Sequence, residues 1–156
     1  MRIQHDFEIG RGAEAVWTRL WDVELVASCI RGCSDVQTVE PLRAYSATVT
    51  QTIGPFRVAF PLAIDVREAQ APARLTVAAS GRDNRIASRV QGTLTTTLAE
   101  VAPDRTLVSI DMDLSVHGRL ATLGHGIIER KGRDELNHFA DELRRALSER
   151  GGAADA

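Results

Sequence analysis

The sequence predicts an α+β fold: a curved antiparallel sheet of about seven strands wrapped around a long C-terminal helix, with two short helices after the first strand. Three observations predict it. Apolar residues recur at every second position through residues 3–9 and most of 45–116, the period of a strand with one buried face. The connectors between these runs are short and rich in Gly, Pro, Asn and Asp, whereas a parallel crossover needs about a dozen residues or more, so successive strands must pair antiparallel. From Gly118 to Arg150 the period changes, and Leu120, Leu123, Ile127, Ile128, Leu136, Phe139, Leu143 and Leu147 fall on one helical stripe.

Each element follows from its own residues. Ile3, His5, Phe7 and Ile9 alternate with Gln4, Asp6 and Glu8 in a first strand that Gly10 and Gly12 end. Val16, Trp17, Leu20 and Trp21, then Leu25, Val26, Cys29 and Ile30, recur at helical spacing, with Asp22 placed to cap the second of two short helices and Arg31-Gly32 to end it. After Val36, Val39 and Pro41, Tyr45 to Ile53 alternate with Ser and Thr, and Gly54-Pro55 turns the chain. Phe56, Val58, Phe60, Leu62, Ile64 and Val66 form the next apolar face; Pro61, on the opposite face, implies an edge or a bulge. Further turns are expected at Ala71-Pro72, at Gly81 to Asn84 and at Ala102-Pro103-Asp104. Between and beyond them run Leu75 to Ala79, Ile86 to Leu98 and Val108 to Val116.

The closing helix would be roughly 45 Å long if continuous, comparable to strands of about twelve residues at roughly 40 Å, so it lies along the sheet. A long sheet twists and curls, and one helix about 10 Å across does not fill the concave side. The space left over is a candidate pocket between the sheet, the long helix and the short helices from Trp17 to Ile30. With 156 residues and 44% hydrophobic composition, residues 1–150 read as one domain and residues 151–156 as a flexible tail after the stop at Gly151-Gly152.

Composition narrows the function classes. Nineteen basic and twenty-one acidic side chains give a net charge of −2 with no run of five like charges, and aromatics make up only 4%, which argues against nucleic acid as a partner. No 18-residue apolar window and no leader pattern appear, so the reading is a cytoplasmic protein. The phase of the alternation puts Asp65, Arg67, Arg89, Asp111, Asp113 and His117 on the solvent face. Interior polarity is left to His5, Tyr45 and Gln51. General acid-base chemistry needs a tuned group inside a cleft, and His5 has no visible carboxylate partner, so a packed histidine is the simpler account. Cys29 and Cys33, four apart, lack the second ligand pair that structural zinc needs; two ordinary thiols are expected, and no metal or cofactor. Gly118 to Gly126 lacks the context of a phosphate loop, and the arginines of the closing helix are balanced by acids.

The stretch Val16 to Cys33, VWTRLWDVELVASCIRGC, resembles the signature of the carbon monoxide dehydrogenase G-subunit family, within the START-like helix-grip (START/Bet v 1-like, SRPBCC) superfamily. Tyr45 through Ile53-Gly54-Pro55, then Gly81, Gly92, Thr106 and Gly118 to Gly124, match in the family's order, so that the resemblance spans about residues 3 to 147. The chain departs from the pattern in having Arg31-Gly32-Cys33 for Pro-Gly-Cys, Asp22-Val23-Glu24 for Asp-Pro-Glu, and His138-Phe139 for a double Phe. It also stops at Ala156, where some relatives carry a membrane-anchoring extension.

The resemblance implies a non-enzymatic accessory protein with a hydrophobic cavity for a lipid-like or quinone ligand. Its implied partner is a molybdenum hydroxylase of the carbon monoxide dehydrogenase type, through which it would reach the membrane periphery. Strand and helix phases nominate Trp17, Leu25, Tyr45, Phe56, Phe60, Leu75, Leu94, Met112, Leu123 and Ile127 as the ligand-binding residues, and no residue as catalytic. Two alternatives stand beside this reading. One is a cyclase- or hydratase-like enzyme using His5 or Tyr45; the other is a ligand-free assembly factor whose partner surface is the loop from Arg31 to Asp35.

Overall fold

The computed structural model describes residues 1–148. Its strands are β1 (Arg2–Ile9), β2 (Cys33–Glu40), β3 (Ala44–Ile53), β4 (Phe56–Gln70), β5 (Arg74–Asp83), β6 (Ser88–Ala102) and β7 (Arg105–Gly118). Two short helices, α1 (Ala13–Leu20) and α2 (Val23–Ser28), follow β1, and α3 (His125–Ser148) closes the fold. The strands make one seven-stranded antiparallel sheet in the order β1-β7-β6-β5-β4-β3-β2. Sheet, short helices and closing helix are those the alternation called for. The proposed tail 151–156 lies outside the described residues.

Register bears out the assigned faces. Ile3 and Leu94 both oppose Met112, Tyr45 opposes Ile64, and Val66 opposes Val77, so the apolar positions share one concave face. Arg89 opposes His117, and Thr93 opposes Asp113, on the convex one. The Asp22 carboxylate accepts the Leu25 N–H at 3.2 Å and caps α2 as its sequence position required.

Two boundaries differ from the sequence reading, and Pro61 bears it out. The closing helix is not continuous from Gly118: Arg119–Leu123 form a 3-10 turn, Gly124 takes a positive φ of 98°, and α3 begins at His125. Its 24 residues span about 36 Å at 1.5 Å per residue. The turn expected at Gly81 to Asn84 lies later, at the 3-10 turn Asn84–Ile86, so Ile86 precedes β6 and Asp83 is the last residue of β5. Pro61 sits in an interior strand, and the β4–β5 ladder stops at Leu62↔Gly81, one residue beyond it. Pro61 therefore marks the point where β4 loses its β5 neighbour and becomes a local edge, which suits a residue without an N–H.

The buried interior is divided in two. The larger cluster joins Leu136, Leu143 and Leu147 of α3 to Ile3, Ile9, Leu98, Val108 and Ile110 of the sheet and to Val16 and Cys29 of the short helices. Each fully buried Leu or Ile there contributes about 1.5–3 kcal/mol relative to exposure. The smaller cluster, Val58, Phe60 and Leu120, lies where the 3-10 turn Arg119–Leu123 plugs one end of the sheet. Gly132 faces β1, where a Cβ would stand 2.9 Å from Ile3 Cδ1, so α3 packs close against that strand. The helix comes closest to β1 and stands further off the opposite half of the sheet.

Candidate ligand-binding site

Part of the concave face lies outside both core clusters. Tyr45 and Val49 of β3, Ile64 and Val66 of β4, and Leu75 and Val77 of β5 are half-buried and belong to neither core cluster. A contiguous apolar surface between two sealed clusters is the kind of wall a small-molecule site uses. Trp17, Leu25, Leu94 and Met112 pack against the larger cluster, and Phe56, Phe60 and Leu123 belong to the smaller one. Tyr45 and Leu75 are half-buried and belong to neither cluster. Ile127 is 44% exposed, and its neighbour Ile128 takes the buried position.

The exposure of Ile127 follows from its stripe. Residues four apart share a helix face, so Ile127 stands in line with Lys131 and Glu135, and Glu135 faces β3. The Glu135 carboxylate accepts from Arg31 Nε at 3.2 Å and Nη2 at 2.9 Å, pairs with Lys131 Nζ at 3.0 Å, and accepts from Gln51 Nε2 at 3.4 Å. Gln51 Nε2 also donates to the Arg31 carbonyl at 2.7 Å. Burial alone would raise the Glu135 carboxyl, but the hydrogen bonds from Arg31 and Lys131 outweigh it and hold the group below its ordinary 4.5. Further toward the start of the helix, Leu123 reaches the β3–β4 turn, where a Cβ on Gly54 would lie 3.3 Å from its side chain.

Lys131 and Glu135, read from the sequence as balanced surface charge, form with Arg31 and Gln51 a polar cluster that the sequence reading passed over. The available signal was the four-residue spacing from Ile127 to Lys131 and from Lys131 to Glu135, together with Gln51 as a polar residue on the largely apolar inner face of β3.

The remaining candidates fall into place individually. His5 is half-buried on β1, its ring 6.1 Å from that of Phe7. The Tyr45 hydroxyl oxygen accepts the Leu42 N–H at 2.8 Å, which turns it toward the β2–β3 connection. Cys29 is buried at the end of α2 and Cys33 opens β2; both are free thiols whose pKa is raised by desolvation. Among the described residues no group of three or more His, Cys, Asp or Glu could hold a metal ion. On the convex face, an open depression of about 360 Å³ is lined by Asp65, Arg67, Ser80, Gln91 and Asp113 among others, a polar surface unsuited to an apolar molecule.

The sequence profile of the CoxG family, the G-subunit of carbon monoxide dehydrogenase, matches residues 6–148. The chain belongs to that family. No curated protein matches its sequence significantly. In fold, this CoxG family member is similar to a conserved protein of Geobacillus kaustophilus, at 17% identity and a TM-score of 0.85 over 96% of this chain and 97% of that one. It is also similar to the ZhuI aromatase/cyclase of a Streptomyces species, at 14% identity and 0.72 over 99% and 97%. A third likeness is a START superfamily protein of Mycobacterium smegmatis, at 15% identity and 0.66 over 94% and 96%. At these identities the likenesses establish a START-like fold for the CoxG family chain and leave its ligand and chemistry to its own residues. Among the described residues no helix is long and apolar enough to cross a membrane.

Several family-pattern residues acquire physical reasons here. Gly32 has φ 76°, and a Cβ on it would run into the Thr50 carbonyl; Gly118 has φ 90° and abuts the Ala87 carbonyl in the same way. Thr106, fully buried, donates its hydroxyl to the Arg11 carbonyl at 2.7 Å and ties the β1–α1 connection to β7.

Proposed function

We propose that this chain is a non-enzymatic binding protein that takes a hydrophobic small molecule, lipid-like or a quinone, against the uncovered concave face and assists a molybdenum hydroxylase of the carbon monoxide dehydrogenase type. The observation that carries the reading is the apolar stretch of β3 to β5 that neither core cluster absorbs. Trp17, Leu25, Leu94 and Met112 bound the ligand from one end and Phe56, Phe60 and Leu123 from the other; Tyr45 and Leu75 form the wall, and Ile127 the rim. Family membership supports the partner class. The working place is the cytoplasm, with contact to the membrane periphery made through that partner.

Trp17 and Trp21 stack edge to face, 5.9 Å between ring centroids, beside the expected site, so their fluorescence reports on it. Titration with short-chain quinones and with fatty acids should quench or shift that emission saturably, and solvent extraction of freshly purified protein should release an apolar species detectable by mass spectrometry. No saturable response to any member of either class, together with a clean extract, would sink the proposal. The cyclase-like alternative is supported by the ZhuI likeness in fold alone. It requires proton transfer by His5 or Tyr45, and the Tyr45 oxygen is already engaged by Leu42.

A further inference from the structure

Between α3 and β3 there is a window with two fixed ends. At one end Leu123 meets Gly54; at the other Glu135 is held by Arg31 and Gln51. The intervening strand, Gln51 to Gly54, is about 10 Å long at 3.3 Å per residue, and the helical rim opposite it carries Ile127 and Lys131. Behind it lies the apolar concave face. All the side-chain hydrogen bonds and ion pairs that cross from α3 to the α2–β2 loop or to β3, among the described residues, converge on Glu135. Two cations, Arg31 and Lys131, thus share one carboxylate at the inner edge of the window, leaving one positive charge in excess beside an apolar wall.

We propose that this cluster reads the headgroup of the ligand, and that the molecule it fits is an amphiphile with an apolar body and a terminal carboxylate, of the long-chain fatty acid class. This rests on the binding-protein reading above and adds the polarity of the bound molecule to it. Lys131 supplies the first contact, because it lies on the rim with its ammonium 3.0 Å from the Glu135 carboxylate. Arg31 supplies the second, its planar guanidinium being suited to a bidentate carboxylate. Glu135 competes with the incoming carboxylate for both, so it sets how tightly an anionic headgroup is held and how readily it is released.

The test compares tetradecanoate with its methyl ester, which has the same apolar body and no charge, by titration of the tryptophan fluorescence and by calorimetry. Wild-type protein should bind the acid about tenfold tighter than the ester, the size of one charge-assisted contact. Lys131→Gln should bring the acid close to the ester and leave the ester unchanged. Glu135→Gln should tighten the acid several-fold, because it removes the competitor and keeps both cations. Thermal melts of each variant show that the fold is intact. Equal binding of acid and ester by the wild type, or weaker acid binding by Glu135→Gln, would overturn the headgroup assignment and leave the apolar site standing. Binding of neither compound would overturn both.

Discussion

The guanidinium of Arg31 and the carboxylate of Glu135, 104 positions apart in sequence and 2.9 Å apart in space, tie the loop after α2 to the long helix. Arg31 is about half exposed, so the pair is worth only about 0.5–1 kcal/mol of coupling. A double-mutant cycle with Arg31→Gln and Glu135→Gln, read by chemical denaturation, should return a value in that range.

The acid limb of stability follows from three carboxylates. Glu135 is held below its ordinary 4.5, and Asp83 and Asp111 below 3.8. A depressed carboxylate stabilises the fold above its unfolded pKa, and that stabilisation is lost as pH falls through the folded value. Stability should therefore be flat near neutrality in these groups and decline below about pH 4.5, with Glu135 contributing first. Denaturation midpoints measured from pH 7 to pH 2 check the order: Glu135→Gln should remove the earliest part of the decline and Asp83→Asn a later part.

Asp83 has a second consequence. It is 4% exposed and accepts the Ala59 N–H at 2.9 Å, the Arg85 N–H at 3.0 Å and Arg85 Nη2 at 3.0 Å. The first of these replaces the strand bond that β4 lacks before Leu62. Asp83→Ala should cost about 1–3 kcal/mol by leaving that donor unmet, and hydrogen exchange should accelerate first at Ala59.

Gly32→Ala should be among the more disruptive single changes in the α2–β2 loop. The positive φ and the collision with the Thr50 carbonyl together cost about 1–3 kcal/mol or more. Because Thr50 N–H donates to the Gly32 carbonyl at 2.9 Å, the variant should also show faster exchange at Thr50, and binding of the anionic amphiphile should weaken as Arg31 is displaced.

Two adjacent isoleucines offer an internal comparison. Ile128 is 7% exposed and packs inside, whereas Ile127 is 44% exposed on the rim. Ile128→Ala should destabilise by about 2–4 kcal/mol through a cavity. Ile127→Ser should change stability by less than about 0.5 kcal/mol while slowing ligand uptake, measured by stopped-flow fluorescence.

Much of this was written in the chain. The two-residue period of Phe56 to Val66 and of Val108 to Val116 specified strands and their buried face, because a strand has only two faces and a one-residue slip inverts both. Asp22 announced its cap and Pro61 its local edge, since each is a matter of one backbone donor and its nearest partner. Gly32 was legible as a helix stop and Gly118 as a point of close backbone approach, but not the carbonyls that crowd them, which belong to the distant residues Thr50 and Ala87.

What the sequence by itself determined is the set of elements, their antiparallel connection and the apolar phase of each, all consequences of local periodicity and short turns. Tertiary structure alone decided where the helix sits. α3 packs closest to β1, with Gly132 against Ile3, while its Glu135 meets Arg31 and Gln51 and Tyr45, Val49, Ile64 and Val77 stay outside both core clusters. Charges that look balanced along a helix become a site only when another element is brought opposite them. No period in the chain encodes that distance; it is set by how close two packed surfaces can come.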